Sequence, residues 1–339
     1  MSPLDRRAFA AATDELSRWK RPLLFSHTKP DGDALGSLIA MRALLEGRGA
    51  NPAVVVFDGV PDRYRFLHRY GPLPVLGRDV SLADVGDADG VLLLDTCAFS
   101  QIEPVADWLR ATPLPSIAVD HHLTRDVNVS LSLIDESAAA TCLILYEWAE
   151  AAGRTLDAAV SEALFVGIST DTGWFRHSNT DARVLAVAGD LVRRGARPHE
   201  LFDLLEQQES QGRFRLRAAA GTRLELLAGG RLAVVTLPAG AFAECGAALA
   251  DTEDLVNEPL RLGSVVVSVM LVEQPGGTIR LGLRSRAPVA AGAPDIDVAA
   301  VAASFGGGGH RRAAGARLSS DLESARAAVV EHLERCLAG

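Results

Sequence analysis

The feature that most restricts the fold is a rhythm of short apolar runs, each ending on polar residues and followed by a helix-forming stretch. Pro22–Ser26 reads as a buried strand entering the segment His27–Asp33, and a helix follows from about Ala34 to Arg48. Ala53–Phe57 is a further strand, Gly90–Leu94 is a strand ending at Asp95, and Ile117–Val119 is a strand ending at Asp120. Such alternation predicts a parallel α/β sheet, whose ligands gather at the carboxyl ends of its strands. Three polar clusters fall at three such ends: His27/Asp31/Asp33, Asp95, and Asp120/His121/His122. Their coincidence says more than any one of them.

At 339 residues the chain exceeds what one core organises, about 250–300 residues, so two lobes are expected. Hydrophobic residues at 48% and charged residues at 23% suffice to bury those cores and exclude a disordered chain. Ser137–Gly195 is mostly helical, with Thr170–Gly173 read as an interrupting loop. Gly195–Pro198 marks a break, and His199 to about Ala220 reads as a connector helix. Beyond it Arg231–Leu237, Ser264–Val272 and Thr278–Leu283 are predicted strands, the last two joined in a hairpin by Pro275-Gly276-Gly277. The expected division is a parallel-sheet α/β domain over 1–197, a helical connector over 198–220 and a smaller α+β domain over 221–339.

The formal net charge of −9 argues against the broad basic surface that long nucleic acids require, so any polyanion handled should be short. Cys97, Cys142, Cys245 and Cys336 are widely spaced and form no C-x-x-C pair, which suggests neither a zinc knuckle nor a disulfide framework. A cytoplasmic setting follows. Met1–Lys20 lacks the apolar region of a signal peptide, and no run approaches the roughly 20 apolar residues that cross a bilayer. No membrane partner is expected.

His27, Asp31 and Asp33 stand in the pattern H-x-x-x-D-x-D, with Pro30 and Gly32 keeping it in a turn. Hard divalent cations take carboxylate oxygens and Mn²⁺ also accepts imidazole, so one His and two Asp suit Mn²⁺ better than structural zinc. Asp31 and Asp33 equally suit the capping of the following helix. Asp95 could cap a helix too. Asp120-His121-His122 is harder to assign to packing, because adjacent imidazoles at a strand end contribute none. Asp171 alone is a loop Asp beside a glycine.

In this order the residues resemble the DHH phosphoesterase superfamily: H-x-x-x-D-x-D, a strand-end Asp, the D-H-H signature and a downstream D-T-G. The run Gly306–Gly309 with His310, followed by Ala313-Ala314-Gly315, resembles the DHH-associated second domain, so the likeness covers nearly the whole chain. Within the superfamily it looks like the nanoRNase and pAp-phosphatase branch. That resemblance implies two Mn²⁺ ions, with Mg²⁺ or Co²⁺ as substitutes. His27, Asp31 and Asp95 would hold one ion, and Asp33, Asp95, His121 and Asp171 the other. Homodimers occur in the family. Trp174 and Phe175, after the D-T-G, suit base stacking and core packing equally.

Two cations about 3.5–4 Å apart can share a water or hydroxide and stabilise charge on a phosphoryl group during in-line attack. His122 is expected to contact a phosphate or leaving oxygen, with Asp120 orienting a neighbouring imidazole. In the second lobe Arg284, Ser285, Gly307, Gly308, Gly309, His310 and Arg311 are expected to grip a terminal phosphate and nucleotide. Arg286 reads better as a solvated strand-end residue. The expected activity is 3′–5′ hydrolysis of very short RNA or DNA oligonucleotides and dinucleotides to mononucleotides, with dephosphorylation of pAp. A cyclic-dinucleotide phosphodiesterase and a non-catalytic nucleotide-binding protein are the competing readings.

Overall fold

Strands without a polar interior position can form only where both faces of a sheet are covered, and the first half of the chain contains three of them. The computed structural model describes residues 4, 6–288 and 294–338. It divides into two units, Met1–Gln208 and Glu209–Gly339.

The first unit runs α1 (Arg6–Arg18), β1 (Pro22–Phe25), α2 (Gly32–Glu46), β2 (Ala53–Val54), β3 (Gly90–Leu94), α3 (Glu103–Ala111), β4 (Ser116–Asp120), β5 (Leu131–Ile134), α4 (Thr141–Ala151), α5 (Ala158–Asp171), α6 (Ala182–Arg193) and α7 (Pro198–Glu206). Its sheet has the order β2-β1-β3-β4-β5, every neighbour parallel. β1, β3 and β4 are buried throughout. Leu24, Leu92, Leu94, Ile117 and Val119 face a core shared with α2, α4 and α5. Their neighbours Leu23, Phe25, Val91, Leu93 and Ala118 face a second core with Ile102 and Val105. The strand order reverses between β1 and β3, so the loops leaving them diverge and open a crevice at their carboxyl ends.

Several elements differ from expectation. The strand expected over Ala53–Phe57 shrinks to the edge strand β2, and Val56 makes only an isolated bridge to Val75. β5 was not foreseen; it is four residues long and half exposed, so its apolar signal is short. Thr170 and Asp171 are not in a loop, because α5 continues through Asp171.

α2 and α5 are buried nearly all round and approach backbone to backbone. A Cβ on Gly36 would lie 2.4 Å from the Ala163 carbonyl oxygen, and one on Gly32 would lie 2.3 Å from Thr170 Oγ1. This contact brings the C-terminus of α5 beside the N-terminus of α2.

The second unit contains α8 (Gln211–Thr222), β6 (Leu224–Leu227), β7 (Leu232–Leu237), α9 (Gly240–Cys245), β8 (Val267–Glu273), β9 (Ile279–Ser285), α10 (Val298–Ala303), β10 (Gly308–His310), β11 (Ala313–Leu318) and α11 (Leu322–Ala338). Its mixed sheet has the order β10-β11-β9-β8-β7-β6, with only β7 and β8 parallel. The stretch expected as one connector helix is two helices, α7 and α8, interrupted before Ser210. Ser210 Oγ caps α8 by accepting from the Arg213 amide at 3.0 Å. No described helix is long and apolar enough to cross a membrane.

Candidate metal centre

Eight residues from the strand ends and helix termini of the first unit converge. His27 follows β1, and its Nδ1–H donates to the Thr28 carbonyl at 2.7 Å. Its Nε2 therefore carries the lone pair, and it lies 3.3 Å from Asp95 Oδ2 and 3.9 Å from Asp31 Oδ1. Asp31 is the N-cap of α2, accepting from the amides of Asp33 and Ala34 at 3.0 and 3.1 Å. Capping and a place in the cluster coexist in one side chain.

Asp95 ends β3 with φ of 61°, a left-handed conformation that costs of order 1–3 kcal/mol in a non-glycine residue, and asparagine and aspartate tolerate it best. It is fully buried, as are Asp33 and Asp120. Asp33 accepts from the amides of Thr141 and Cys142 at 2.6 and 2.9 Å, so it closes the N-terminus of α4, whose own N-cap Ala140 has no acceptor side chain.

His121 Nδ1 donates to the Ala138 carbonyl at 3.2 Å, which again leaves Nε2 as the lone-pair atom. That Nε2 is buried and without a hydrogen-bond partner. Around it stand Asp171 Oδ2 at 3.3 Å, Asp95 Oδ1 at 3.5 Å and Asp33 Oδ2 at 3.9 Å. With Nδ1 as the donor, Nε2 would present a bare lone pair to three carboxylates, an arrangement that becomes favourable only when that nitrogen carries a proton or a metal cation. The donor atoms of His27, Asp31 and Asp95 lie within 4.8 Å of one another, as do those of Asp33, His121 and Asp171. The oxygens and imidazoles suit Mn²⁺-like ions, and the fixed tautomers supply the outer hydrogen bonds that ligating histidines use.

The electrostatics agree. Burial opposes charge on His27, but the hydrogen bond and charge of Asp95 override it and raise its pKa to about 9. Burial likewise opposes charge on His121, while Asp171, Asp95 and Asp33 push its pKa up to about 11. Asp33 is held well above the carboxylate range by burial and then by the charges of Asp95 and Asp171. Asp171 is raised mainly by burial. Burial also acts against the Asp95 charge, yet His121 and His27 hold its carboxyl low. This field demands positive charge, which among the described residues the imidazolium protons of His27 and His121 supply.

His122 differs from its neighbour. Its Nδ1 donates to Asp120 Oδ1 at 2.7 Å, and the same oxygen accepts from the amides of His121 and His122 at 2.8 and 3.1 Å. Asp120 raises the His122 pKa by that hydrogen bond, against burial. The nitrogen facing Asp95, at 3.8 Å, thus already bears a proton directed at Asp120.

Trp174 and Phe175 both have positive φ and pack against Phe165. The Trp174 indole N–H donates to Glu206 at 3.2 Å and its ring meets Phe202 edge-on, so α7 engages it.

In the second unit the expected substrate residues gather at one end of the sheet. Arg284 and His310 flank Ala313 in register on β9 and β10. Gly308 has open space where a side chain would stand, whereas a Cβ on Gly307 or Gly309 would strike β11. The Ser285 hydroxyl donates to the buried Ile296 carbonyl at 2.8 Å, and Arg311 pairs with Asp295 at 2.6 Å. Both side chains are engaged within the unit.

Residues 22–168 match the model described as "DHH family, N-terminal domain". A Thermus thermophilus protein named bifunctional oligoribonuclease and PAP phosphatase NrnA is 32% identical over 90% of this chain and 87% of its own length. The chain belongs to the DHH family. Among solved DHH-like folds, an exopolyphosphatase-related protein from Bacteroides fragilis superposes with a TM-score of 0.81 at 22% identity, covering all of both chains. RecJ from Thermus thermophilus, crystallised with Mn²⁺, gives 0.50 at 16% identity over 98% of this chain and 54% of its own. In the DHH chain the outer hydrogen-bond partners Thr141, Cys142 and Ala138 escaped the sequence reading, since they act from more than a hundred residues away or through the backbone.

Proposed function

We propose that the protein is a metal-dependent phosphodiesterase that degrades very short oligonucleotides to mononucleotides from the 3′ end and removes a phosphate from pAp. The observation that carries the chemistry is the buried, unpartnered Nε2 of His121 facing Asp33, Asp95 and Asp171. The name of the Thermus relative supports the substrate class.

His27, Asp31 and Asp95 would hold one divalent cation and Asp33, Asp95, His121 and Asp171 a second, with Mn²⁺ the preferred ion and Mg²⁺ or Co²⁺ as substitutes; the mixture of carboxylate oxygens and imidazole nitrogens supports that preference. Such ions supply Lewis acidity that activates water and offsets charge on a phosphoryl group. The chain's own part is to fix and protonate. Asp120 holds His122 by Nδ1, leaving the opposite edge of a proton-rich imidazole to donate to a phosphate or leaving oxygen. Arg284, His310 and the backbone of Gly307–Gly309 would grip the terminal phosphate, over a base shaped by Ser285 and Arg311. Buried thiols at Cys97, Cys142 and Cys245, all unpaired, suit a cytoplasmic setting.

The test is a time course with Mn²⁺ on 5′-labelled RNAs of two to about twenty nucleotides, beside pAp and a linear dinucleotide. Chelator-sensitive release of mononucleotides, fastest on the shortest RNAs, is expected. Hydrolysis indifferent to length or to chelation would overturn the proposal.

A further inference from the structure

The two ligand clusters are not independent, and one side chain touches both. Thr141, fully buried at the first position of α4, donates its amide N–H to Asp33 Oδ2 at 2.6 Å and its hydroxyl to Asp95 Oδ1 at 3.0 Å. Asp95 turns Oδ2 toward His27 at 3.3 Å and Oδ1 toward His121 at 3.5 Å, one oxygen to each cluster. That orientation has no other described support from a hydroxyl or amide donor.

Resting on the metal-dependent reading above, we propose that Thr141 is the positioning residue that makes Asp95 a shared carboxylate, by fixing its plane so that one oxygen faces each cluster. The amide of the same residue sets Asp33, so a single helix start aligns one carboxylate of the second cluster and the carboxylate common to both. A network outside it holds that start in place. Asp135, at the end of β5, accepts from the Ser137 amide at 2.9 Å and pairs with Arg183 at 2.9 Å, and Arg183 in turn binds Glu147 of α4 at 2.6 Å. The intervening segment also supplies the Ala138 carbonyl that sets the His121 tautomer. The segment from Ala138 through the first two residues of α4 therefore contacts three of the proposed ligands, His121, Asp33 and Asp95, while contributing none.

The deciding experiment is calorimetric titration of Mn²⁺ into chelator-stripped protein, with thermal melts of each variant in chelator as the measure of fold. Thr141→Val removes the hydroxyl at constant shape, and Thr141→Ser and Thr141→Ala form a second pair that differs in the hydroxyl alone. Loss of an outer hydrogen bond of this kind weakens metal binding about 10- to 100-fold. The valine and alanine variants should show that loss and the serine variant should not, while the chelated melts of serine and alanine stay together. If the alanine and serine variants bind Mn²⁺ equally, Thr141 is merely structural and the inference is overturned. If the wild-type protein binds no Mn²⁺, the metal-dependent reading itself fails and this inference with it.

Discussion

Gly36→Ala tests whether the site is built by the close approach of α2 and α5. The new Cβ would lie 2.4 Å from the Ala163 carbonyl oxygen, 3.2 Å from Cys142 Sγ and 3.3 Å from the Gly167 amide. The nearest of these is backbone, so restoring an ordinary contact of 3.4 Å requires α5 to retreat by about 1 Å. Overpacking of this sort costs about 1–3 kcal/mol, and alanine returns up to about 1 kcal/mol of helix propensity. A net loss of up to about 2 kcal/mol should lower Tm by several degrees for a unit of this size. Because Asp171 ends α5, the same retreat moves it away from His121, and a 1 Å misplacement costs about 100-fold in turnover. Gly189→Ala is the control: it lies exposed in α6 with nothing within 4 Å, and should gain about 0.5–1 kcal/mol with activity unchanged. Melting in chelator and dinucleotide hydrolysis with Mn²⁺ read both effects. If Gly36→Ala were as stable and active as Gly189→Ala, the close-approach argument would be wrong.

Asp171→Asn should raise the melting temperature in chelator while reducing turnover at least 100-fold, because it removes an anion from the C-terminal end of a helix and from among other carboxylates. Gly308→Ala should leave the melt unchanged, since its side chain would enter open space, and raise KM if backbone at that edge meets the substrate. Asp190 tests linkage away from the site. The Tyr146 hydroxyl first, then Arg194 and Arg193, hold its pKa at about 2, below the ordinary aspartate value of 3.8. Its contribution is therefore complete above the unfolded value and is lost as pH falls toward 2, so the Tm gap between wild type and Asp190→Asn should narrow from pH 6 to pH 3.

The strands that deliver His27, Asp95 and Asp120 were legible because each is an apolar run cut short by a charged residue, a local signal. Asp171 was legible only through the D-T-G resemblance, and its setting was misread, because nothing local distinguishes a loop from the last turn of a buried helix. β5 is too short and too exposed to register. The break between α7 and α8 did have a sign, Ser210 three residues before Arg213, which the polar composition around it masked. The partners of Asp33 and His121 were beyond reach in principle. They are amides and carbonyls, identical in every residue, and only the folded chain selects Thr141, Cys142 and Ala138 for the task.

The docking of α5 against α2 also bears on how the protein is made. His27 emerges early in synthesis and Asp171 near the end of the first unit, and their helices meet only when the glycine-lined faces close. A chain released or stalled before α5 carries a cluster short of one carboxylate and without the helix that presses the others together. On the proposed function, hydrolytic competence would therefore wait on the docking of α5, and a chain without that helix would be an idle one.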